Sequence, residues 1–274
     1  MKATANYLFL LVLLIGSTAT AQQPCSSGPP AKALIDWPEF GSGPCRTGFN
    51  PYEFVLSPAT VGNLVVDWQY PLAQVVFASP AVANGVLYFP GGDACGTVYA
   101  FNPTTGAVLW QSTVVSDEQI ISTPAIADGI LYVGVLNNYT LYALDTSTGA
   151  VLWTYATGGY VGSSPAVANG VVYFESWNDD HNVYALNART GAVLWTYTMG
   201  AAGILGTSPA VANGVVYVGS YDNNVYALDA GTGALLWQYT TGQPVASSPA
   251  VADGVVYVGG SFDHELYAFH LPNQ

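Results

Sequence analysis

Basic residues are almost missing from this chain. Its 274 residues hold 4 Lys and Arg against 17 Asp and Glu, a formal net charge of −13. Nucleic-acid binding needs Lys and Arg to neutralise phosphates, so this composition excludes nucleic acids as partners. A high net charge keeps a protein soluble but does not identify its ligand.

Long apolar runs are missing beyond the first residues. Lys2, the apolar run Tyr7–Ile15 and the small-x-small site Ala19-Thr20-Ala21 are typical of a secretory signal peptide over residues 1–21. The run is shorter than the ~20 residues of a membrane helix. We therefore expect a secreted or periplasmic protein without a membrane span, in which residues 22–63 form a lead-in to the folded domain.

Cysteine is scarce, and the three cysteines are Cys25, Cys45 and Cys95. Export permits a disulfide. An odd number leaves one thiol over, and all three pairings stay open.

Helical periodicity is also missing, whereas internal repetition is strong. Ser/Thr-Pro-Ala recurs about every 42 residues, at Pro80, Pro124, Pro165, Pro209 and Pro249. A tryptophan recurs with the same period, at Trp68, Trp110, Trp153, Trp195 and Trp237. Two independent markers with one period indicate a repeated structural unit.

One repeat can be read completely between Ser208 and Thr241. Turn dipeptides such as Asn213-Gly214 separate short runs rich in Val, Tyr and Ala. The predicted strands are Ser208–Ala212, Val215–Gly219, Val225–Asp229 and Ala234–Tyr239. Four short antiparallel strands per unit of this length are typical of a β-propeller blade.

The two ends of the repeat region complete each other. The last unit has a third strand at Glu265–Phe269 but no fourth, and Leu64–Tyr70 has the tryptophan of a fourth strand but no strands before it. We therefore predict an all-β, five-bladed propeller over residues 64–274, closed by Leu64–Tyr70 as the outer strand of the last blade. The alternative is an incomplete larger ring that completes itself by oligomerising.

The link between the third and fourth strands reads Ala-x-Asp/Asn-x-x-Thr-Gly-x-x-x-Trp, from Ala100, Ala143, Ala185 and Ala227 onward. This motif resembles the tryptophan-docking motif of the pyrroloquinoline-quinone (PQQ) repeat family of quinoprotein alcohol dehydrogenase-like propellers. The resemblance implies that the five repeated tryptophans are structural and pack between adjacent blades. The lead-in, with Arg46-Thr47-Gly48, also resembles that of exported members.

The two faces of the predicted propeller differ in how much the repeats vary. Turns between first and second strands, and between third and fourth, are almost uniform, whereas the other connections differ in every copy. We expect the variable face to bind the ligand, although unconstrained loop drift would also produce variation. The candidate residues are Tyr160, Glu175, Trp177, Asp179, Asp180, His181, Tyr221, Asp222, Asp263 and His264.

Within this set, the acidic cluster Glu175, Asp179, Asp180 and His181 could hold a cation such as Ca²⁺. However, Asp180, Asp222 and Asp263 each precede a strand tyrosine by the same spacing, which is typical of a turn former. No metal site is therefore predicted. Trp177 either stacks on a sugar or covers the rim.

The resemblance also raises an enzymatic hypothesis, a PQQ-dependent alcohol or sugar dehydrogenase using Ca²⁺. Catalytic family members hold the quinone between a tryptophan and a disulfide of adjacent cysteines, beside an Asp and a basic residue. This chain has no adjacent cysteines, and Arg189 is the sole cation from Leu64 onward. We therefore predict no catalytic residues and no cofactor.

The leading hypothesis is an exported, non-catalytic, monomeric propeller that binds a protein, glycan or small molecule through its variable face. The quinone enzyme and a carbohydrate-binding module, using Trp177, Tyr160 and Tyr221, remain the alternatives.

Overall fold

The computed structural model describes residues 39–46, 55–72, 75–91, 96–200, 206–261 and 263–271. The predicted signal peptide, Cys25 and Cys95 lie outside these ranges. Two short 3-10 helices occur at Phe40–Ser42 and Val61–Asn63, and the remaining regular structure is β-strand. No helix in the described ranges has the length and apolar character needed to cross a membrane.

Within the described residues, nineteen strands form five antiparallel sheets, which confirms the five-bladed, all-β architecture. Blade 1 consists of β1 Ala81–Ala83, β2 Val86–Pro90, β3 Thr97–Phe101 and β4 Val108–Thr113. Blade 2 consists of β5 Ala125–Ala127, β6 Ile130–Val135, β7 Thr140–Asp145 and β8 Val151–Ala156. Blade 3 consists of β9 Ala166–Ala168, β10 Val171–Glu175, β11 Asn182–Asn187 and β12 Val193–Thr198. Blade 4 consists of β13 Ala210–Ala212, β14 Val215–Gly219, β15 Asn224–Asp229 and β16 Leu235–Thr240. Blade 5 consists of β17 Ala250–Ala252, β18 Val255–Gly259 and β19 Leu266–Phe269.

We refer to the successive strands of each blade as A, B, C and D. The innermost A strands of consecutive blades contact one another, whereas the D strands lie outermost and are largely exposed. Strand A is shorter than predicted: β13 starts at Ala210 rather than Ser208. Pro209 has no N–H to donate, so the hydrogen-bonded ladder begins after it.

The A–B turns have the conformation that their sequences predict. Asn213 has φ 50° and Gly214 has φ 78°, and the other four Asn-Gly or Asp-Gly pairs behave alike. Two consecutive positive φ angles define the tight hairpin turn whose twist matches that of the strands.

The C–D turns bring each blade close to the tryptophan of the preceding one. The Asp145 carboxylate accepts hydrogen bonds from the Ser147 and Thr148 N–H groups, and Gly149 then takes φ 73°. A Cβ on Gly149 would lie 2.6 Å from the Trp110 ring. Glycine is therefore required here both for its backbone conformation and for the close approach of the indole.

Adjacent blades are joined through one shared carbonyl. The Tyr88 hydroxyl and the Trp110 indole N–H, both from blade 1, donate to the Thr146 carbonyl of blade 2 at 3.3 and 2.9 Å. The same arrangement recurs at the next two junctions, where Tyr132 and Trp153 donate to the Ala188 carbonyl, and Tyr173 and Trp195 donate to the Ala230 carbonyl. These largely shielded contacts fix how one blade sits against the next.

A second series of contacts joins the blades near their inner ends. The Ser79 N–H donates to the Thr123 hydroxyl of the next blade at 3.1 Å. The series continues from Thr123 to Ser164, from Ser164 to Ser208 and from Ser208 to Ser248. No bond from the Ser248 N–H back to the Ser79 hydroxyl closes it among the described residues.

The predicted closing segment Leu64–Tyr70 has the side-chain contacts of a D strand but not its backbone pairing. Trp68 donates to the Pro103 carbonyl of blade 1 at 2.8 Å, and Tyr70 packs against Tyr99, as D-strand residues do at other junctions. However, residues 64–72 form no strand, and the sheet of blade 5 has three strands in the described chain.

The prediction that Leu64–Tyr70 pairs with the last blade is therefore wrong for this structure. In blades 1 to 4 a short C–D turn connects strand D to its partner and sets the register, whereas this pairing would join distant parts of the chain with no turn to guide it. The seam stays open: Tyr257 of blade 5 is 41% exposed, whereas its counterparts Tyr88, Tyr132 and Tyr173 are buried.

We predict that Trp195→Ala destabilises the protein much more than Trp237→Ala does. Trp195 is buried and hydrogen-bonded, so its loss should cost about 3–5 kcal/mol. Trp237 is 38% exposed and should cost much less. Denaturant unfolding measures both, and equal losses would contradict the role assigned to the junction.

Candidate functional site

The lead-in segment Glu39–Arg46 lies against the innermost strands. The Val211 N–H donates to the Pro44 carbonyl at 2.7 Å, and the Val251 N–H donates to the Cys45 carbonyl at 3.0 Å. The Val167 N–H donates to a Glu39 carboxylate oxygen at 3.2 Å. Each donor is the middle residue of an A strand, so the segment caps backbone groups that would otherwise be unpaired at the inner sheet edges.

Arg46 holds this segment in place. Its guanidinium donates to the Pro209 carbonyl at 2.6 Å, to the Ser164 carbonyl at 2.8 Å and to the Phe40 carbonyl at 2.9 Å. The side chain is buried, and it links the inner ends of blades 3 and 4. Cys45, beside it, is disulfide-bonded, and its partner lies outside the described residues.

Glu175 lies in the interior rather than on the outer face proposed from the sequence. It ends β10 at the position where Gly134, Gly219 and Gly259 stand in other blades. Its carboxylate accepts hydrogen bonds from the Thr207 hydroxyl at 2.6 Å and from the Thr207 N–H at 3.1 Å. It therefore binds the start of blade 4 and is not available to an external ligand.

Glu39 and Glu175 share Arg46 as the cation that opposes their charge. Burial raises the pKa of Glu39 to about 7 and that of Glu175 to about 8, although Arg46 lowers both. Burial also lowers the pKa of Arg46 to about 10, so this group stays charged at neutral pH. The centre of the molecule thus holds two carboxyl groups whose pKa values lie well above the ordinary value for glutamate.

The repeated aspartates anchor the B–C turns. The Asp180 carboxylate accepts hydrogen bonds from the Gly158 N–H at 2.8 Å, from the Tyr184 hydroxyl at 2.6 Å and from the Ser176 hydroxyl. Asp222 and Asp263 accept from the tyrosines four residues later, Tyr226 and Tyr267. These carboxylates are occupied by the turn that they stabilise.

The residue after each of these aspartates takes a left-handed conformation. The equivalent positions of blades 2 to 5 are Tyr139, His181, Asn223 and His264, with φ between 48° and 71°. Asparagine adopts this conformation readily, whereas a bulky side chain does so at an energetic cost. Turn chemistry alone therefore does not explain tyrosine here, whereas histidine, like asparagine, is enriched in this conformation.

Two tyrosines meet on the variable face where blades 2 and 3 adjoin. The rings of Tyr139 and Tyr160 lie 5.2 Å apart, and the charges of Asp179 and Glu118 contribute to raising the pKa of Tyr139, behind desolvation and Tyr160. We call Glu118, Tyr139, Tyr160 and Asp179 the tyrosine patch. Tyr139 was missed from the sequence because its counterparts in the other repeats are His181, Asn223 and His264 rather than tyrosines. Its position three residues before the strand C tyrosine Tyr142 is the signal that could have found it.

Trp177 lies next to the tyrosine patch, below the surface. Its backbone pairs with that of Tyr160, and its ring is buried against Gly162 and Gly206. It therefore offers no open ring face for stacking on a sugar.

The other predicted site residues do not converge on one point. Asp179 and His264 are exposed, and His181, Tyr221 and Asp222 are half-buried, on the B–C turns of three blades. Within the described ranges no group of three or more His, Cys, Asp or Glu side chains is placed to hold a metal ion.

Comparison with solved structures shows a propeller of PQQ-like repeats. BamB from Moraxella catarrhalis is 24% identical, with a TM-score of 0.62 over 74% of this chain and 63% of that chain. The quinohemoprotein alcohol dehydrogenase from Comamonas testosteroni is 20% identical, with a TM-score of 0.68 over 82% of this chain and 46% of that chain. The corresponding enzyme ADHIIG from Pseudomonas putida HK5 is 21% identical, with a TM-score of 0.69 over 86% and 48%. This chain thus spans less than two thirds of each of these proteins.

A match to a family model identifies the family to which the chain belongs. The family model described as outer membrane protein assembly factor BamB matches residues 94–204 and 179–270, well over half of the chain. The chain belongs to this PQQ-repeat family, as its docking motif predicted. No curated protein matches it.

We predict that Arg46→Gln destabilises the protein by about 3–5 kcal/mol, because the buried Pro209 and Ser164 carbonyls lose their hydrogen-bond donor and the bond to the Phe40 carbonyl is lost as well. Arg189 is exposed on a C–D turn, so Arg189→Gln is the matched control and should change little. Denaturant unfolding of both variants tests this, and a mild effect of Arg46→Gln would contradict the anchoring role.

We also predict that the free energy of unfolding falls as the pH rises from about 5 to about 8. The folded chain binds more protons than the unfolded chain between the ordinary carboxyl pKa of 4.5 and the raised values of about 7 and about 8. Each group therefore contributes a slope of at most about 1.4 kcal/mol per pH unit. Glu175→Gln should flatten this slope and the exposed Glu265→Gln should not, as unfolding curves across the range would show.

Proposed function

We propose that this protein is an exported, non-catalytic scaffold that binds a protein partner through its variable face, at the tyrosine patch. The observation that carries the proposal is the pair Tyr139–Tyr160, set between two carboxylates on connections that differ from blade to blade. Fold alone does not assign function, so the argument rests on this surface.

Backbone strain supports a role for the patch. Tyr139 has φ 57°, in the left-handed region that a bulky residue enters at a cost of about 1–3 kcal/mol. Asn223 shows that a more easily accommodated residue serves the same turn in blade 4. A strained tyrosine beside a second tyrosine is better explained by a contact that its ring makes than by the turn.

The charge of the patch indicates the chemistry of the partner. Glu118 and Asp179 flank the rings, and the two arginines among the described residues lie elsewhere, at the centre and on the opposite face. Arginine side chains stack on tyrosine rings and pair with carboxylates, so a basic, arginine-containing segment fits best. The family description, an outer membrane assembly factor, agrees with a protein rather than a small molecule as the ligand.

The quinone dehydrogenase alternative has less support. The quinone carries three carboxylates, which require cations. Arg46 is buried and bonded to backbone carbonyls, and Arg189 lies on the uniform face. The buried Trp177 ring likewise argues against the carbohydrate module. We therefore propose that the protein needs no cofactor.

We predict that Tyr139→Ala and Asp179→Asn weaken binding to an arginine-rich peptide by more than tenfold together. Thr148→Ala, on an exposed C–D turn, is the control and should leave binding unchanged. Fluorescence anisotropy with a labelled peptide measures this, and a peptide with glutamate in place of arginine should not bind. Binding should weaken as salt is added, since exposed charges are screened.

The same variants serve in a pull-down from the native envelope or culture fluid. A protein retained by the wild type and by Thr148→Ala, but lost with Tyr139→Ala, is the expected partner. Equal retention by all three would remove the patch from the proposal. Dye-coupled alcohol or sugar oxidation after addition of PQQ and Ca²⁺ would instead support the enzyme.

A further inference from the structure

A small cleft opens where blade 2 meets blade 3, on the uniform face that carries the A–B and C–D turns. Its volume is about 280 Å³, just below the ~300–1,000 Å³ of pockets that hold drug-sized ligands, so it suits a smaller molecule. Ile130, Tyr132 and Ala188 form the buried, apolar part of its lining. Asp128 and Arg189, also in the lining, are exposed. A ligand in this cleft would contact both blades.

The cleft contains two opposite charges that do not neutralise each other. Burial raises the pKa of Tyr132, the charge of Asp128 adds to this effect and the charge of Arg189 opposes it. Both charges therefore lie near the tyrosine hydroxyl. Neither side chain forms an ion pair within the part of the chain that the structure describes. A carboxylate and a guanidinium can thus each pair with a group of opposite charge on a ligand.

This pair of charges distinguishes the junction from its neighbours. The two flanking junctions carry neutral residues at the positions of Asp128 and Arg189, namely Asn84 and Ser147 on one side and Asn169 and Gly231 on the other. The chain has a net charge of −13, and the other arginine in the described ranges, Arg46, is buried. An exposed arginine in this cleft is therefore a departure both from the repeat and from the composition.

The turn that carries Arg189 also lacks a carboxylate that the adjacent blades have. Asp145 and Asp229 begin the C–D turns of blades 2 and 4 and accept hydrogen bonds from turn N–H groups. Asn187 accepts the same bonds through a neutral amide oxygen, from the Arg189 N–H at 3.1 Å and the Thr190 N–H at 3.0 Å. An aspartate here would attract the guanidinium two residues later, whereas asparagine leaves that charge for another partner.

We propose that this cleft binds a small zwitterion, a free amino acid with an apolar side chain, through its carboxylate on Arg189 and its ammonium group on Asp128. The apolar lining accepts the side chain. A simple anion or cation fits less well, because it would meet a like charge at one of the two residues. The site lies on the opposite face from the tyrosine patch and does not depend on the proposed protein partner.

Calorimetric titration of the purified protein with L-valine, L-leucine and L-phenylalanine tests the proposal. We expect dissociation constants between about 1 μM and about 1 mM. The melting temperature should rise with ligand concentration, because the ligand binds the folded chain only. N-acetyl-L-leucine lacks the ammonium group and L-leucinamide lacks the carboxylate. Each should bind about tenfold or more weakly than leucine, as the loss of one charge-assisted hydrogen bond implies.

Two variants introduce residues found in neighbouring repeats and should therefore fold. Arg189→Ser and Asp128→Asn each remove one charge, and each should weaken leucine binding by about tenfold or more. Asp253→Asn, the same change at the exposed A–B turn of blade 5, is the control and should leave binding unchanged. The Arg189→Ser protein should also bind leucine and leucinamide equally, since it lacks the group that selects the carboxylate.

Three results would overturn the proposal. The first is that none of the three amino acids binds at concentrations up to about 10 mM, beyond the range of weak affinities. The second is that N-acetyl-L-leucine and L-leucinamide bind as tightly as leucine. The third is that Asp253→Asn weakens binding as much as Asp128→Asn does, which would reflect the overall charge of the protein rather than this cleft.

Discussion

The structure depends on one repeated contact, in which a tyrosine hydroxyl and a tryptophan N–H of one blade donate to a single carbonyl of the next. A buried tryptophan hides ~150–250 Å², which at ~25 cal/mol per Å² gives an upper limit of roughly 4–6 kcal/mol for each. The glycine of each C–D turn leaves the space that the indole occupies, as Gly149 does for Trp110. Blades with so few charged residues therefore hold together through aromatic rings and backbone carbonyls.

Features that depend on neighbours in sequence could be predicted from the residues alone. The Asn213-Gly214 turn and strand Val215–Gly219 lie where the sequence places them, and β13 differs only because Pro209 cannot donate. Features that depend on contacts between residues distant in the sequence could not be predicted in this way. Glu175 looked like part of a surface cluster because it stands next to other acidic residues. Its one sequence signal was that it replaces a glycine of the other repeats.

The ionisable residues at the centre of the molecule stabilise the fold, whereas those on the rim shape the proposed binding surface. At the centre, Arg46 and Glu39 attach the lead-in segment to the inner strands, and Glu175 attaches blade 3 to the start of blade 4. The ionisable groups at the centre therefore stabilise the fold. On the rim, the repeated aspartates hold the B–C turns in one shape, which leaves the next residue free to vary. A constant turn with a variable left-handed residue is a simple means of building a specific surface on identical blades.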